Sequence, residues 1–147
     1  MIRNSVSIYK SKKNNNIFIV PSGFLENGIR TTINKPIILG EHYNAEILGE
    51  SLKKGYDIIS NQEFQKEDIG VLVVNEVTGI KSFSSFSKQY FCVSSGYDSM
   101  NGYDFYSLIR GKDGSYMYPA NPFIELSPDA DYISIGAAII KAFESCE

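Results

Sequence analysis

Histidine and cysteine, the residue types that most often build catalytic and metal sites, are scarce in this chain, whereas carboxylates are plentiful. His42 is the single histidine, and Cys92 and Cys146 stand far apart in the sequence. A structural zinc site needs about four His, Cys or carboxylate ligands, and three in a catalytic site. No such set is spaced for one. Cys92 with His42 has the residue types of a thiolate nucleophile and its base, but neither lies in a recognisable catalytic signature. Walker loops, dinucleotide fingerprints and nucleophile elbows are all absent. An acid–base pair among the 17 Asp and Glu residues stays open, because any fold that brings two carboxylates together supplies the types needed. These absences predict a protein with no catalytic, cofactor-binding or metal-ligating residues, one that works by binding another macromolecule.

The segment best suited to binding is a near-repeat, Gly96-Tyr97-Asp98 and Gly102-Tyr103-Asp104, followed by Phe105 and Tyr106. It flanks a turn at Asp98–Gly102. Tyrosine offers a large contact area with few rotatable bonds, and an adjacent aspartate pairs with Lys or Arg on a partner. The contact set expected from this pattern is Tyr97, Asp98, Tyr103, Asp104 and Tyr106. The same residues also suit a plain hairpin, in which Gly and Asp make the turn and Tyr fills the strands.

Charge points to the same kind of partner. The net charge of −3 is unevenly spread. Residues 1–40 carry six basic residues (Arg3, Lys10, Lys12, Lys13, Arg30, Lys35) against Glu26, a balance of +5. Residues 41–147 carry eight basic against sixteen acidic residues, a balance of −8. An acidic surface repels nucleic acid and draws in cationic partners. Lys10, Lys12 and Lys13 surround an Asn-rich turn and read as a solvated loop tip, so no direct nucleic-acid contact is expected.

At 147 residues, 43% hydrophobic and 21% charged, the chain suits one domain over residues 1–147 that folds without metal or disulfide. Both cysteines are expected as free thiols. Neither an export signal nor a membrane-length apolar run is visible, which predicts a cytoplasmic protein with no membrane partner.

The elements that must position the aromatic hairpin follow from periodicity. Ser5–Lys10 alternates, Ile17–Val20 is a β-branched run broken at Pro21–Gly23, and Ile29–Ile33 follows an Asn27-Gly28 turn. An amphipathic helix is expected from about Gly40–Glu41, with Ala45, Leu48, Leu52 and Gly55 inward. Residues 61–89 read weakly, as a helix near 62–68, an extended stretch at Val71–Val74 and a connector at Ser82–Ser87. Gln89–Ser95, Tyr103–Arg110 and Ser115–Tyr118 predict a three-stranded antiparallel meander, with Phe123–Leu126 as an edge strand. A last helix is expected with Ser134 as N-cap, carrying Ile135, Ile139, Phe143 and Cys146 inward. Its Gly136-Ala137-Ala138 run is thin enough for close approach to the sheet. Strand runs and helix runs are segregated, so the fold class expected is α+β, an antiparallel meander-type sheet packed with two or three α-helices.

Several of these features resemble the CdiI immunity proteins of contact-dependent growth-inhibition systems. Leu39-Gly40 leads into a helix carrying Leu48 and Ser51-Leu52. A Lys81-Ser82 connector with aromatics and Lys88 leads into the aromatic meander. The chain closes on Ile135-Gly136-Ala137-Ala138-Ile139, Ala142-Phe143 and Cys146. The resemblance spans roughly residues 36–147, with Ser60-Asn61 where the family pattern suggests Ser-Arg. It implies a cytoplasmic inhibitor that binds the C-terminal domain of a cognate toxin, commonly a cationic nuclease, and it transfers no catalytic residues. The toxin would be blocked by covering its active site or by adding one of its strands to a sheet edge. The alternatives are a protein-binding adaptor without a toxin, a small-ligand-binding domain, or an enzyme using carboxylates.

Overall fold

Alternation makes the first strand two-faced. In β1 (Asn4–Ser11), Val6 and Ile8 are fully buried on one side, while Ser5, Ser7 and Tyr9 occupy the other. The structure, a computed structural model, describes residues 4–24 and 27–146. Arg3, Glu26 and Glu147 of the charge balance lie outside these residues.

β1 pairs antiparallel with β2 (Ile17–Phe24) on one side and with β5 (Tyr90–Asp98) on the other. Among the described residues the sheet has seven strands, six of them in the order β3 (Arg30–Thr32), β2, β1, β5, β6 (Gly102–Ser107) and β9 (Ile124–Leu126). β3 and β4 (Ile37–Gly40) share the outer edge of β2, and β6 and β9 complete the far side. Every pairing is antiparallel, so the α+β class expected from the sequence is the class observed.

Pro21 does not break the strand. The Pro21 carbonyl accepts from Ile33 N at 2.9 Å, on the edge that β3 and β4 share. In an antiparallel strand a residue's N and C=O point the same way, so the donor that proline lacks is missing at that junction and not from the β1 ladder.

One face of the sheet carries α1 (Ala45–Ser60) and α4 (Tyr132–Glu144). They bury Leu48, Leu52, Tyr56, Ile135, Ile139 and Phe143 against Val6, Ile8, Ile19, Val93 and Phe105. The start of α1 is later than expected. Gly40 closes β4 at φ +67°, and Asn44 caps the helix, its side chain accepting from Ile47 N at 2.8 Å. In α4 the cap is Asp131, which accepts from Ser134 N at 2.8 Å, so Ser134 is the capped residue and not the cap.

Of the thin run in α4, Gly136 faces α1, while Ala137 is exposed and Ala138 is buried in the core. A Cβ on Gly136 would lie 1.7 Å from the Ala45 carbonyl oxygen, and one on Gly49 would lie 2.0 Å from that of Tyr132. The two helices therefore run antiparallel in backbone contact.

On the other face, α2 (Val73–Thr78) and α3 (Phe83–Gln89) cover a second core of Tyr9, Phe18, Val20, Phe86, Cys92 and Leu108. The expected helix at 62–68 is only a 3₁₀ turn at Lys66–Asp68. The β-branched Val73 and Val74 are helical, because burial against the sheet outweighs a propensity difference of a few tenths of a kcal/mol. Ser82–Ser87 is a capped helix start, with Ser82 Oγ accepting from Ser85 N at 3.1 Å. The structure thus has four α-helices among the described residues, where two or three were expected.

The meander is also rearranged. β5 and β6 pair as expected across Asp98↔Gly102. The third strand leaves the sheet, and β7 (Ile109–Arg110) pairs with β8 (Tyr116–Met117) in a separate ribbon. β9 takes the place beside β6 as the edge strand. Among the described residues no helix is long and apolar enough to cross a membrane.

Candidate functional site

The second face of the sheet is only partly covered. Beyond α2 and α3 it presents Ser5, Ser94, Gly96, Asp104 and Tyr106 on β1, β5 and β6, in the register Ser5↔Gly96↔Asp104. Here a surface cavity of about 350 Å³ opens, walled on one side by Arg30 and on the other by Tyr118 and the residues after it.

Short strand-borne side chains make its floor. Ser5 and Asp104 sit two strands apart, roughly 10 Å by strand spacing. Arg30 reaches from β3 to donate to Ser5 Oγ. Ser94 Oγ shares a 2.8 Å hydrogen bond with the Tyr118 hydroxyl. The Tyr106 and Tyr118 rings meet edge to face, with centroids 5.3 Å apart at 80°. Asp104 Oδ1 accepts from Gly96 N at 2.8 Å. The cavity thus holds a guanidinium on one side, a carboxylate on the other, and hydroxyls with two aromatic rings between them. Such a surface recognises polar and charged groups by hydrogen bonding and stacking.

The five expected contact residues separate on folding. Asp104 and Tyr106 come together at the cavity. Tyr97 and Tyr103 face the opposite way, beneath α1, where their centroids are 4.6 Å apart and Tyr56 packs on both. Tyr103 is buried, and desolvation raises its hydroxyl above the ordinary tyrosine range. Asp98 is buried at the hairpin tip. Its Oδ1 accepts from Met100 N at 3.0 Å and Asn101 N at 2.6 Å, and its Oδ2 from Asn101 Nδ2 at 3.2 Å.

Arg30 and Tyr118 were not singled out from the sequence. Both arrive by strand pairing and loop closure between segments distant in the chain, which local periodicity does not record.

The two cysteines come together, Cys146 Sγ donating to the Cys92 carbonyl oxygen at 3.5 Å, while the histidine lies on another segment. His42 is exposed ahead of α1, while Cys92 is buried in β5 with its thiol raised by burial. The Cys146 thiol is pushed up to about 11, chiefly by desolvation, and both cysteines are free. No group of three or more His, Cys, Asp or Glu able to hold a metal ion occurs among the described residues.

The fold therefore defines an α+β sheet protein whose open face carries a polar cavity. No family model matches the chain, and no curated protein matches it. Among the solved structures that share the fold, two do so over nearly their whole length. One is a Neisseria meningitidis protein of unknown function, with a TM-score of 0.72 and 17% identity, covering 99% of this chain and 96% of that one. The other is a chain of a CdiA-CT/CdiI toxin and immunity complex from Yersinia pseudotuberculosis. It has a TM-score of 0.69 and 11% identity, covering 100% of this chain and 99% of that one. At these identities the likeness is one of fold.

Proposed function

We propose that this chain is a non-enzymatic immunity protein that binds and neutralises a cognate contact-dependent growth-inhibition toxin domain in the cytoplasm. The observation that carries this reading is the end-to-end fold likeness to a chain of a toxin and immunity complex, which agrees with the resemblance carried by residues 36–147. The −8 balance over residues 41–147 supports a cationic partner such as a nuclease, because opposite charge speeds encounter and favours the correct orientation. In this reading Asp104 and Tyr106, with Arg30 and Tyr118 beside them, contact the toxin, while Tyr97, Asp98 and Tyr103 hold the hairpin in shape.

The test is co-expression. Cells producing the toxin domain encoded beside this gene are plated with and without this protein, and the purified pair is run on a sizing column. Rescue of viable counts with a stable one-to-one complex is the expected result. Continued killing with no complex would overturn the proposal.

A further inference from the structure

We infer that Asn27 is a site of self-modification, closing on the Gly28 amide to a cyclic imide that opens to aspartate and isoaspartate. The inference concerns the chain's own chemistry and stands whether or not the partner is a toxin.

The sequence contains two Asn-Gly dipeptides, Asn27-Gly28 and Asn101-Gly102. Glycine leaves its backbone nitrogen unhindered by a Cβ, so each dipeptide has the groups for attack on the preceding carboxamide. The fold treats the two oppositely. Asn27 and Gly28 are both exposed in the turn that leads into β3. A Cβ on Gly28 would meet nothing within 4 Å, and among the described residues no hydrogen bond holds its amide. Asn27 Oδ1 accepts from Ile29 N at 3.0 Å, which folds the carboxamide back over the Gly28 peptide. That same oxygen gains negative charge when the nitrogen attacks, so the Ile29 N–H is already placed to stabilise it.

Asn101-Gly102 is locked. Asn101 donates from Nδ2 to Asp98 Oδ2 at 3.2 Å and from its backbone N to Asp98 Oδ1 at 2.6 Å. Gly102 is buried and paired with Asp98 in the β5–β6 ladder. A Cβ on it would lie 2.1 Å from the Leu126 carbonyl oxygen, so the backbone has no room to shift. Ring closure requires such a shift, and folding therefore protects Asn101.

At Asn27 hydroxide removes the Gly28 amide proton and the nitrogen bonds to Cγ. The Cγ–Nδ2 bond breaks, and Nδ2 leaves as ammonia with a proton from water. Water then opens the imide. Attack at the side-chain carbonyl gives aspartate, and attack at the main-chain carbonyl gives isoaspartate, with one more methylene in the backbone. Either product brings a carboxylate three positions before Arg30, which walls the sheet cavity and donates to Ser5 Oγ. Modification thereby resets that wall.

The full protein is incubated, folded and in urea, in mildly alkaline buffer made with isotopically heavy water, and its peptides are mapped by mass spectrometry. The folded protein should take up heavy oxygen at Asn27 and not at Asn101, faster as pH rises. In urea both sites should convert. Gly28→Ala, at an open position, should slow conversion of Asn27 by about tenfold or more, a barrier increase of roughly 1.4 kcal/mol. The converted fraction, separated by its extra negative charge, should show amide shifts displaced at Arg30 and Ser5 and unchanged in α4. An unchanged Asn27 in the folded protein, or Asn101 converting as fast, overturns the inference. So does Asn101 resisting in urea, an unslowed Gly28→Ala, or an Arg30 amide that does not move.

Discussion

Asp98 and Asp104 stand six positions apart in a near-repeat, yet their carboxylates have different work to do. Asp98 is buried and accepts from two backbone amides and a side chain of its own turn. Removing it leaves those donors without their acceptor, so Asp98→Ala should destabilise the protein by about 1–3 kcal/mol, read as a lower midpoint in urea. Asp104 lies at the cavity. Asp104→Asn keeps an acceptor for Gly96 N but removes the charge, so toxin affinity should fall on titration of the purified pair. The thiols act through pH. An unfolded cysteine ionises as pH passes 9.0, whereas folded Cys146 stays protonated to about 11. This contribution is fully present below pH 9 and is lost as pH rises towards 11. Buried Cys92 and Tyr9 are raised as well, and add to the same alkaline loss. Thermal melts should therefore show a falling Tm above pH 9, with a shallower fall in Cys146→Ala.

At the scale of elements, the most sensitive joint is the crossing of α1 and α4. Gly136 meets the Ala45 carbonyl and Gly49 meets that of Tyr132 at distances that leave no room for a methyl group. Alanine would ordinarily favour a helix interior by about 1 kcal/mol over glycine. Here the added methyl must push the helices apart, so overpacking should win by about 1–3 kcal/mol or more. Denaturant melts of Gly136→Ala and Gly49→Ala check the sign, and stabilisation of either would refute the crossing. Which elements were legible follows from the same packing. Val6 and Ile8, Leu48 and Leu52, and Ile135 and Ile139 repeat with their element's own period because each faces one core, so β1, α1 and α4 are visible in sequence. Residues 61–89 carry two short helices of six and seven residues, too short for a period to build up. Their identity depends on a sheet face assembled from elsewhere. The hairpin's turn chemistry was legible too. Which of its tyrosines face outward was not, because that depends on which side α1 comes to cover.

For the whole molecule, the sheet is protected unevenly. β1 is paired on both sides and covered by α1 and α4 on one face and by α2 and α3 over part of the other. β3, β9 and the β7–β8 ribbon are short and lie at margins. Native-state hydrogen exchange should therefore be slowest in β1 and in the β5 residues paired to it, and fastest in β3, β9 and the ribbon. Uniform protection across the sheet would contradict this arrangement.

The placement of β1 also bears on synthesis at the ribosome. Asn4 pairs with Tyr97 and Ser11 with Tyr90, so β1 leaves the ribosome long before its second neighbour exists. Until then one of its edges can hydrogen-bond only to water or to another chain. Closure of the sheet should accordingly come late in translation, and nascent chains arrested before β5 should be open to protease along β1.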